Sequence, residues 1–77
     1  MSHNIIVYST PTCPYCHMAK DYLASKNIPF IDKNVAIDTA AGEEMVEKTG
    51  QMGVPVIEID GKIIIGFDRV TIDELLK

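Results

Sequence analysis

The sequence predicts an α/β sandwich with a mixed four-stranded sheet. Short runs of isoleucine and valine alternate with segments of helical periodicity, an order typical of β-α-β units with parallel strands. The dipeptide Asp60-Gly61 separates two further apolar runs and favours a two-residue hairpin turn, which makes those strands antiparallel. A last segment of helical periodicity completes the predicted order, β-α-β-α-β-β-α.

The first strand is predicted at residues 4–8, and the first helix runs from about Pro14 to Lys26. Proline suits the first helical turn, where no amide donor is needed, and Asn27 can adopt the left-handed conformation that ends a helix. One face of this helix has helical spacing and is predicted to pack inward: Cys16, Ala19, Tyr22, Leu23 and Lys26.

The second strand is predicted at residues 29–35. Asp38 or Thr39 can cap a second helix that runs through Lys48 and is closed by Gly50.

The two strands of the hairpin are predicted at residues 56–59 and 62–65. A short final helix follows Asp68. Its apolar residues are predicted to face the sheet: Ile72, Leu75 and Leu76.

With 77 residues, the chain is expected to be one domain spanning residues 1–77. No apolar run is long enough for a membrane span and no signal segment opens the chain, so we expect a soluble cytoplasmic monomer. The formal net charge is −4, with +1 in residues 1–31 and −5 in the rest. This acidic balance argues against nucleic acid or an anionic membrane as a partner.

Both cysteines lie in Cys13-Pro14-Tyr15-Cys16, at the junction of the first strand and the first helix. A cysteine at the first turn of a helix meets unpaired backbone N–H groups, which favour the thiolate. Cys13 is therefore the predicted nucleophile, and Cys16, which lies deeper, is the predicted resolving thiol. Tyr15 is expected to be exposed beside Cys13, where its ring can flank a substrate.

Other interpretations of the cysteine motif are weaker. With His17 it matches the C-x-x-C-H pattern of c-type haem attachment, but that chemistry needs export. A single C-x-x-C lacks the second pair of ligands that a zinc site in one chain requires, so no metal site is predicted. We expect His17 to be a solvated helix residue and His3 a free terminal residue. Three of the four methionines are expected to fill the core or its rim: Met18, Met45 and Met52.

The sequence resembles the glutaredoxins, small members of the thioredoxin-fold superfamily, over essentially its whole length. Three segments carry the resemblance: the C-P-Y-C motif, Thr49-Gly50-Gln51 followed by Gly53-Val54-Pro55, and Ile65-Gly66-Phe67-Asp68. The resemblance implies a thioredoxin-like sandwich and a dithiol thiol–disulfide oxidoreductase. Such an enzyme reduces protein disulfides and glutathione mixed disulfides, with glutathione as cosubstrate and no bound cofactor.

The resemblance also assigns the substrate-facing elements. It implies a cis Val54–Pro55 bond that turns the Val54 backbone towards Cys13, whereas the sequence alone favours a trans bond. Backbone groups there would pair with an extended peptide or with glutathione. The predicted substrate- or glutathione-binding residues are Tyr15, Gln51, Val54, Pro55, Gly66, Phe67 and Asp68.

Within that set the individual roles differ. Gly66 lets the backbone approach the ligand, and Gln51 is a possible contact for the glycine carboxylate of glutathione. Asp68 can receive the γ-glutamyl amine or simply cap the last helix, and Phe67 is expected to serve packing more than binding.

Two departures from the family pattern leave the reductant open. Thr10 occupies the position where glutathione-using glutaredoxins commonly have Lys or Arg, and Lys20 and Lys48 are weak candidates to replace that basic residue. Near the last helix, Gly66 is a single glycine where those proteins tend to have two. One alternative is therefore a redoxin that donates electrons, for example to ribonucleotide reductase, and is recharged by thioredoxin reductase. A third, weaker alternative is a dimer that holds an iron–sulfur cluster through Cys13 and two glutathiones; the rigid proline of the motif argues against it.

Overall fold

The computed structural model describes residues 3–51 and 53–76, so the predicted packing role of Met52 falls outside it. The predicted order of elements is confirmed. The strands and helices are β1 (Ile5–Ser9), α1 (Pro14–Ser25), β2 (Ile31–Asn34), α2 (Thr39–Thr49), β3 (Val56–Ile59), β4 (Lys62–Ile65) and α3 (Arg69–Leu75).

The strand order in the sheet is β2-β1-β3-β4, with β1 in the interior. β1 and β2 are parallel, as predicted, and place Ser9 opposite Asn34. β3 runs antiparallel to β1, with Tyr8 opposite Val56, and β4 is the antiparallel edge that the hairpin prediction requires. The sheet is therefore mixed.

The two faces of the sheet carry separate apolar clusters, because side chains along a strand alternate between faces. One cluster joins the sheet to α1 and α3; its buried members are Ile5, Val7, Ala19, Leu23, Ile57, Ile59, Ile64 and Ile72. The other joins the sheet to α2; its buried members are Tyr8, Ala41, Met45 and Val56. Leu75 and Leu76 pack against the first cluster, which confirms the predicted inward face of α3.

Some boundaries differ from the predictions. β1 begins and ends one residue later, and β2 is shorter than residues 29–35, since Pro29 has no N–H to donate to a strand partner. Asn27 has a φ of 58° just after α1, as predicted. The prediction that Lys26 packs inward is wrong: it is exposed, with its ammonium 5.1 Å from the centre of the Tyr22 ring.

Local signals set the ends of α2 and the hairpin turn. Asp38 caps α2 by accepting a hydrogen bond from the Ala41 amide at 3.0 Å, and Gly50 closes the helix in the left-handed conformation. Asp60 and Gly61 have φ values of 50° and 88°, the two positive angles that a type I′ turn needs.

The expectation that His3 is free is wrong. Its Nδ1 lies 2.5 Å from the Asp60 carboxylate, which also accepts from the Asn4 amide at 2.8 Å. These bonds hold the pKa of Asp60 below its usual range, the contact with His3 being the larger cause. The start of β1 is thereby tied to the hairpin turn.

Within residues 3–51 and 53–76, no helix has both the length and the apolar character needed to cross a membrane.

Candidate active site

Cys13 caps the N-terminus of α1 at the end of the loop that follows β1. Its backbone is extended (φ −95°, ψ 111°), and its Sγ accepts a hydrogen bond from the Cys16 amide at 3.2 Å. Cys13 is a partly exposed residue with a free thiol. An acceptor at this position is stabilised by the unpaired N–H groups of the first turn, which suits a thiolate.

Cys16 is also a free thiol, but it is fully buried in the first turn of α1. The pKa of the Cys16 thiol is raised to about 11, mainly by burial and in addition by the hydrogen bond and charge of Cys13. The Thr10 backbone amide and the positive charge of Lys20 act in the opposite direction. The two sulfurs of the motif are therefore unequal: one is accessible, and the other is protonated at neutral pH and shielded from solvent.

The loop before β3 meets the cysteine motif from the other side of the site. The Val54–Pro55 bond is cis, as the resemblance implies. The Val54 carbonyl oxygen lies 3.9 Å from Cys13 Sγ, within reach of a thiol hydrogen bond. The Gly66 amide donates to the Pro55 carbonyl at 2.8 Å and so joins the end of β4 to this loop.

Gly66 has a φ of 83°, in the region where residues with a Cβ are strained. A Cβ added at Gly66 would meet nothing within 4 Å, so glycine is needed for the backbone conformation and not to avoid a clash.

Phe67 and Asp68 organise the start of α3. The Phe67 ring packs edge-on against Tyr22, with ring centres 5.8 Å apart, which confirms its predicted packing role. Asp68 caps α3 by accepting from the hydroxyl and amide of Thr71 at 2.7 and 3.2 Å, and these bonds lower its pKa. The capping interpretation of Asp68 is thus confirmed, while ligand contacts of both residues stay predictions.

Tyr15 and Gln51 are both exposed at the surface. Tyr15 is 60% exposed in the first turn of α1, as predicted. Gln51 follows α2, and its backbone amide donates to the Thr49 hydroxyl at 3.2 Å. The hydrogen bonds described above join Cys13, Cys16, Val54, Pro55 and Gly66 into one site.

The two lysines considered as replacements for a basic residue at Thr10 are both ion-paired. The Lys20 ammonium lies 3.1 Å from the Asp32 carboxylate. The Lys48 ammonium lies 3.2 Å from Glu44 and 2.5 Å from Glu58. Lys20 is partly buried, whereas Lys48 stays exposed at the surface, as expected of a solvated helix lysine, despite its ion pairs.

Lys20 belongs to a polar cluster that the sequence analysis missed, here called the Ser9 cluster (Ser9, Lys20 and Asp32). Ser9 is a buried residue, only 2% exposed, at the end of β1, and its hydroxyl donates to Asp32 at 2.6 Å. Asp32 then accepts from Lys20, which lies one helical turn after Cys16. The spacing of Cys16 and Lys20 was visible in the sequence, but the position of Asp32 depends on the register of β2.

A second missed cluster, the Tyr8 cluster, comprises Tyr8, Lys33, Glu44, Lys48 and Glu58. The buried Tyr8 hydroxyl donates to Glu44 at 2.5 Å and accepts from Lys48 at 3.4 Å. The Tyr8 bond, followed by Lys48, lowers the pKa of Glu44 to about 2, while burial raises the pKa of Tyr8. The pKa of Lys48 is raised, mainly by Glu58. Only the Glu44–Lys48 pair, four residues apart on a helix, has a signal in the sequence.

A family model described as glutaredoxin matches residues 5–64, which include the cysteine motif and the Val54–Pro55 loop. The chain belongs to the glutaredoxin family. It is 56% identical over 73 residues to an "uncharacterized glutaredoxin-like 8.6 kDa protein in rubredoxin operon" of Clostridium pasteurianum, covering 95% of this chain and 97% of the relative. It is also 40% identical over 81 residues to glutaredoxin 3 of Escherichia coli K12, covering 96% and 98% of the two chains.

Solved structures agree with the glutaredoxin assignment. The thioredoxin-like protein BC3987 superposes with a TM-score of 0.88 and 29% identity, over 94% of this chain and 99% of that one. A complex of buckwheat glutaredoxin with glutathione superposes with a TM-score of 0.75 and 25% identity, over 94% of this chain and 68% of that one. The predicted thioredoxin-like sandwich is confirmed, and this glutaredoxin is a thiol–disulfide oxidoreductase.

His17 is exposed in α1, and its Nε2 lies 2.8 Å from the Pro11 carbonyl oxygen. It is therefore a solvent-facing residue, as expected, but one that is hydrogen-bonded to the loop before the glutaredoxin motif. Across the described part of the chain, no group of three or more His, Cys, Asp or Glu side chains is arranged to hold a metal ion.

Proposed function

We propose that Cys13 is the nucleophile and Cys16 the resolving thiol in the dithiol reduction of protein disulfides and glutathione mixed disulfides. The observation that carries this proposal is the asymmetry of the pair. Cys13 is partly exposed and accepts a backbone hydrogen bond, whereas Cys16 is buried with a pKa of about 11. Because the thiolate is the attacking species, the accessible and hydrogen-bonded sulfur reacts first.

The cycle has two exchange steps in one direction. The Cys13 thiolate attacks one sulfur of a substrate disulfide, forms a mixed disulfide and releases the first thiolate. The Cys16 thiolate then attacks Cys13 Sγ, which forms the Cys13–Cys16 disulfide and releases the second thiolate. The protons given up by the two cysteines end on the two released thiols. The substrate has gained two electrons from the protein, and an external thiol must later reduce the Cys13–Cys16 disulfide.

We propose that an extended substrate pairs with the backbone of Val54 beside Cys13. The Val54 carbonyl already lies 3.9 Å from the sulfur, and Gly66 is held to Pro55 behind it. Main-chain pairing of this kind binds peptides with little dependence on sequence. On either side of the Val54 backbone, Tyr15 flanks the bound substrate and Phe67 borders it. Gln51 and Asp68 face the glycine carboxylate and the γ-glutamyl amine of glutathione.

Glutathione is the proposed cosubstrate, and the glutathione complex of the buckwheat relative supports it. The ion pairs of Lys20 and Lys48 favour the alternative, recharging by thioredoxin reductase, because they engage the two lysines considered as replacements for a basic residue at Thr10. We further propose that the chain is a single-domain monomer that acts in the cytoplasm and needs no resident cofactor or metal. Disulfide-containing proteins are its proposed clients.

Variants of the two cysteines test the proposed roles. Cys13→Ser is expected to abolish reduction of both a protein disulfide and a glutathionylated peptide. Cys16→Ser is expected to lose protein-disulfide reduction and to keep activity on the glutathionylated peptide, because that reaction needs only one thiol. Retained activity in Cys13→Ser would overturn the assignment.

A parallel turnover assay tests the reductant. The same disulfide substrate is supplied either with glutathione, glutathione reductase and NADPH or with thioredoxin reductase and NADPH. We expect turnover with glutathione. Turnover only with thioredoxin reductase would replace the glutathione proposal with the redoxin alternative, and visible absorbance after anaerobic purification would favour the cluster-binding dimer.

A further inference from the structure

We propose that Lys20 is a positioning residue for the resolving step, in which its ammonium charge promotes formation of the Cys16 thiolate. This inference rests on the proposed roles of the two cysteines. In this proposal the Ser9 cluster holds the Lys20 ammonium near the buried Cys16 thiol, which must lose its proton before it can attack.

Geometry places Lys20 where it can act on Cys16. The two residues are four apart on α1 and share one face of the helix, where side chains are near neighbours. The Lys20 side chain is only 21% exposed, and its ammonium is fixed by Asp32 at 3.1 Å. Asp32 is fixed in turn by the buried Ser9 hydroxyl. The lysine is thus anchored against the sheet instead of extending freely into solvent.

The resolving step is the one at which this charge matters. Once Cys13 carries a mixed disulfide, its sulfur is uncharged, so its own charge no longer opposes ionisation of Cys16. Burial remains, and it is the largest cause of the raised pKa. The groups that oppose burial are the Thr10 amide and the charge of Lys20.

Two further charged or titratable groups bear on the environment of Cys16: Asp32 and His17. Asp32 on β2 is the counter-ion of Lys20 and weakens its effect. His17, the next residue on α1, is exposed and bonded to Pro11. Lys20 therefore supplies the positive charge near Cys16. Asp32 holds the Lys20 ammonium in place and partly offsets its charge.

The experiment uses a chromogenic aromatic disulfide whose two halves are released as coloured thiolates. The first release reports the attack of Cys13, and the second reports the attack of Cys16 on the mixed disulfide. The rates of both phases are measured by stopped flow between weakly acidic and weakly alkaline pH. The chains compared are the unchanged protein, Lys20→Gln, Lys20→Arg, Asp32→Asn and the exposed-lysine control Lys62→Gln.

Lys20→Gln is expected to slow the second phase at neutral pH, by about threefold for each unit by which the pKa of the Cys16 thiol rises. A pKa higher by about one unit lowers the thiolate fraction about tenfold. The greater nucleophilicity of a more basic thiolate recovers about threefold of this. The first phase should keep its rate, Lys20→Arg should restore the second phase, and Lys62→Gln should change neither.

Asp32→Asn separates electrostatics from structure, because it breaks the same ion pair as Lys20→Gln. The asparagine oxygen can still accept a hydrogen bond from Lys20 and hold it in place, while the negative counter-charge is lost, so the second phase should be as fast as in the unchanged chain or faster. Equal slowing in Lys20→Gln and Asp32→Asn would mean that the ion pair only holds the helix in place, and would overturn the inference. An unchanged second phase in Lys20→Gln would overturn it as well.

Failure of the underlying assignment gives a different result. If Cys13 were not the nucleophile, Cys13→Ser would retain the first phase, whatever happens at Lys20. If the assignment holds and Lys20 has no role, Cys13→Ser loses the first phase while Lys20→Gln and the unchanged protein share one second-phase rate.

Discussion

Tyr8 and Ser9 are neighbours at the end of β1, yet their hydroxyl groups serve opposite faces of the sheet. On the α2 face, Tyr8 donates to Glu44, whose carboxylate is also held by Lys48. On the α1 face, Ser9 donates to Asp32, whose carboxylate is also held by Lys20. Each hydroxyl therefore donates a hydrogen bond to a carboxylate that also pairs with a lysine.

The two clusters differ in what lies next to them. The Tyr8 cluster lies under α2, where Tyr8 packs with Ala41, Met45 and Val56. The Ser9 cluster reaches a lysine one helical turn from Cys16. The same polar arrangement therefore stabilises the fold on one face and, in the role proposed for Lys20, promotes ionisation of a thiol on the other, according to the group beside the lysine.

The largest effect on stability is expected from Tyr8→Phe. The Tyr8 hydroxyl is buried and makes two hydrogen bonds, one to the Glu44 carboxylate and one from Lys48. Its loss should lower the free energy of unfolding by about 2 kcal/mol, a common cost for a bond to a charged group. Urea unfolding measures this change. Both phases of the chromogenic assay should keep their rates, and a slower second phase would erase the distinction between the two clusters.

Ser9→Ala should have a smaller effect on stability. The Ser9 hydroxyl makes one hydrogen bond, and Asp32 keeps its pairing with Lys20 after the change. We expect the free energy of unfolding to fall by about 1.5 kcal/mol, the lower end of the range for one bond to a charged group, measured by the same urea titration. A loss as large as that of Tyr8→Phe would show that the number of bonds does not explain the difference between the two hydroxyls.

The loss of stability as the pH falls, here called the acid limb of the stability profile, depends in part on Glu44. Its pKa is about 2 in the folded protein and 4.5 ordinarily, so its contribution is complete above about pH 4.5 and disappears as the pH falls towards 2. Because the side chain is 36% exposed, solvent screening limits the contribution to about 1 kcal/mol.

Glu44→Gln should therefore be less stable at neutral pH and lose less stability on acidification, as measured by thermal unfolding against pH. The exposed neighbour Glu43 provides the control, and Glu43→Gln should keep the acid limb of the unchanged chain. An identical acid limb in Glu44→Gln and Glu43→Gln would refute the role of Glu44.

Local signals were sufficient to predict most of the fold. The Asp60-Gly61 turn, the Asp38 cap and the left-handed Asn27 each depend on residues close in sequence, and each was found where predicted. The same holds for Cys13 at the start of α1. Chemical preferences of single residues and short motifs determine such features.

Long-range polar contacts could not be predicted in this way. The bond from Ser9 to Asp32 depends on the register of β1 and β2, and the contact of His3 with Asp60 spans 57 positions in sequence. The ion pairs of Lys20 and Lys48 could not be predicted from the sequence. Their acidic partners on the strands, Asp32 and Glu58, come close to the lysines only through the packing of helices on the sheet.

Pulsed alkylation of the reduced chain tests the central claim, that the two sulfurs of the motif are unequal and Cys13 attacks first. A brief exposure to iodoacetamide at neutral pH is followed by quenching, digestion and mass spectrometry of the peptide that contains both cysteines. A single adduct on Cys13 is expected, with Cys16 modified only after unfolding. Equal labelling of the two sulfurs, or earlier labelling of Cys16, would contradict it.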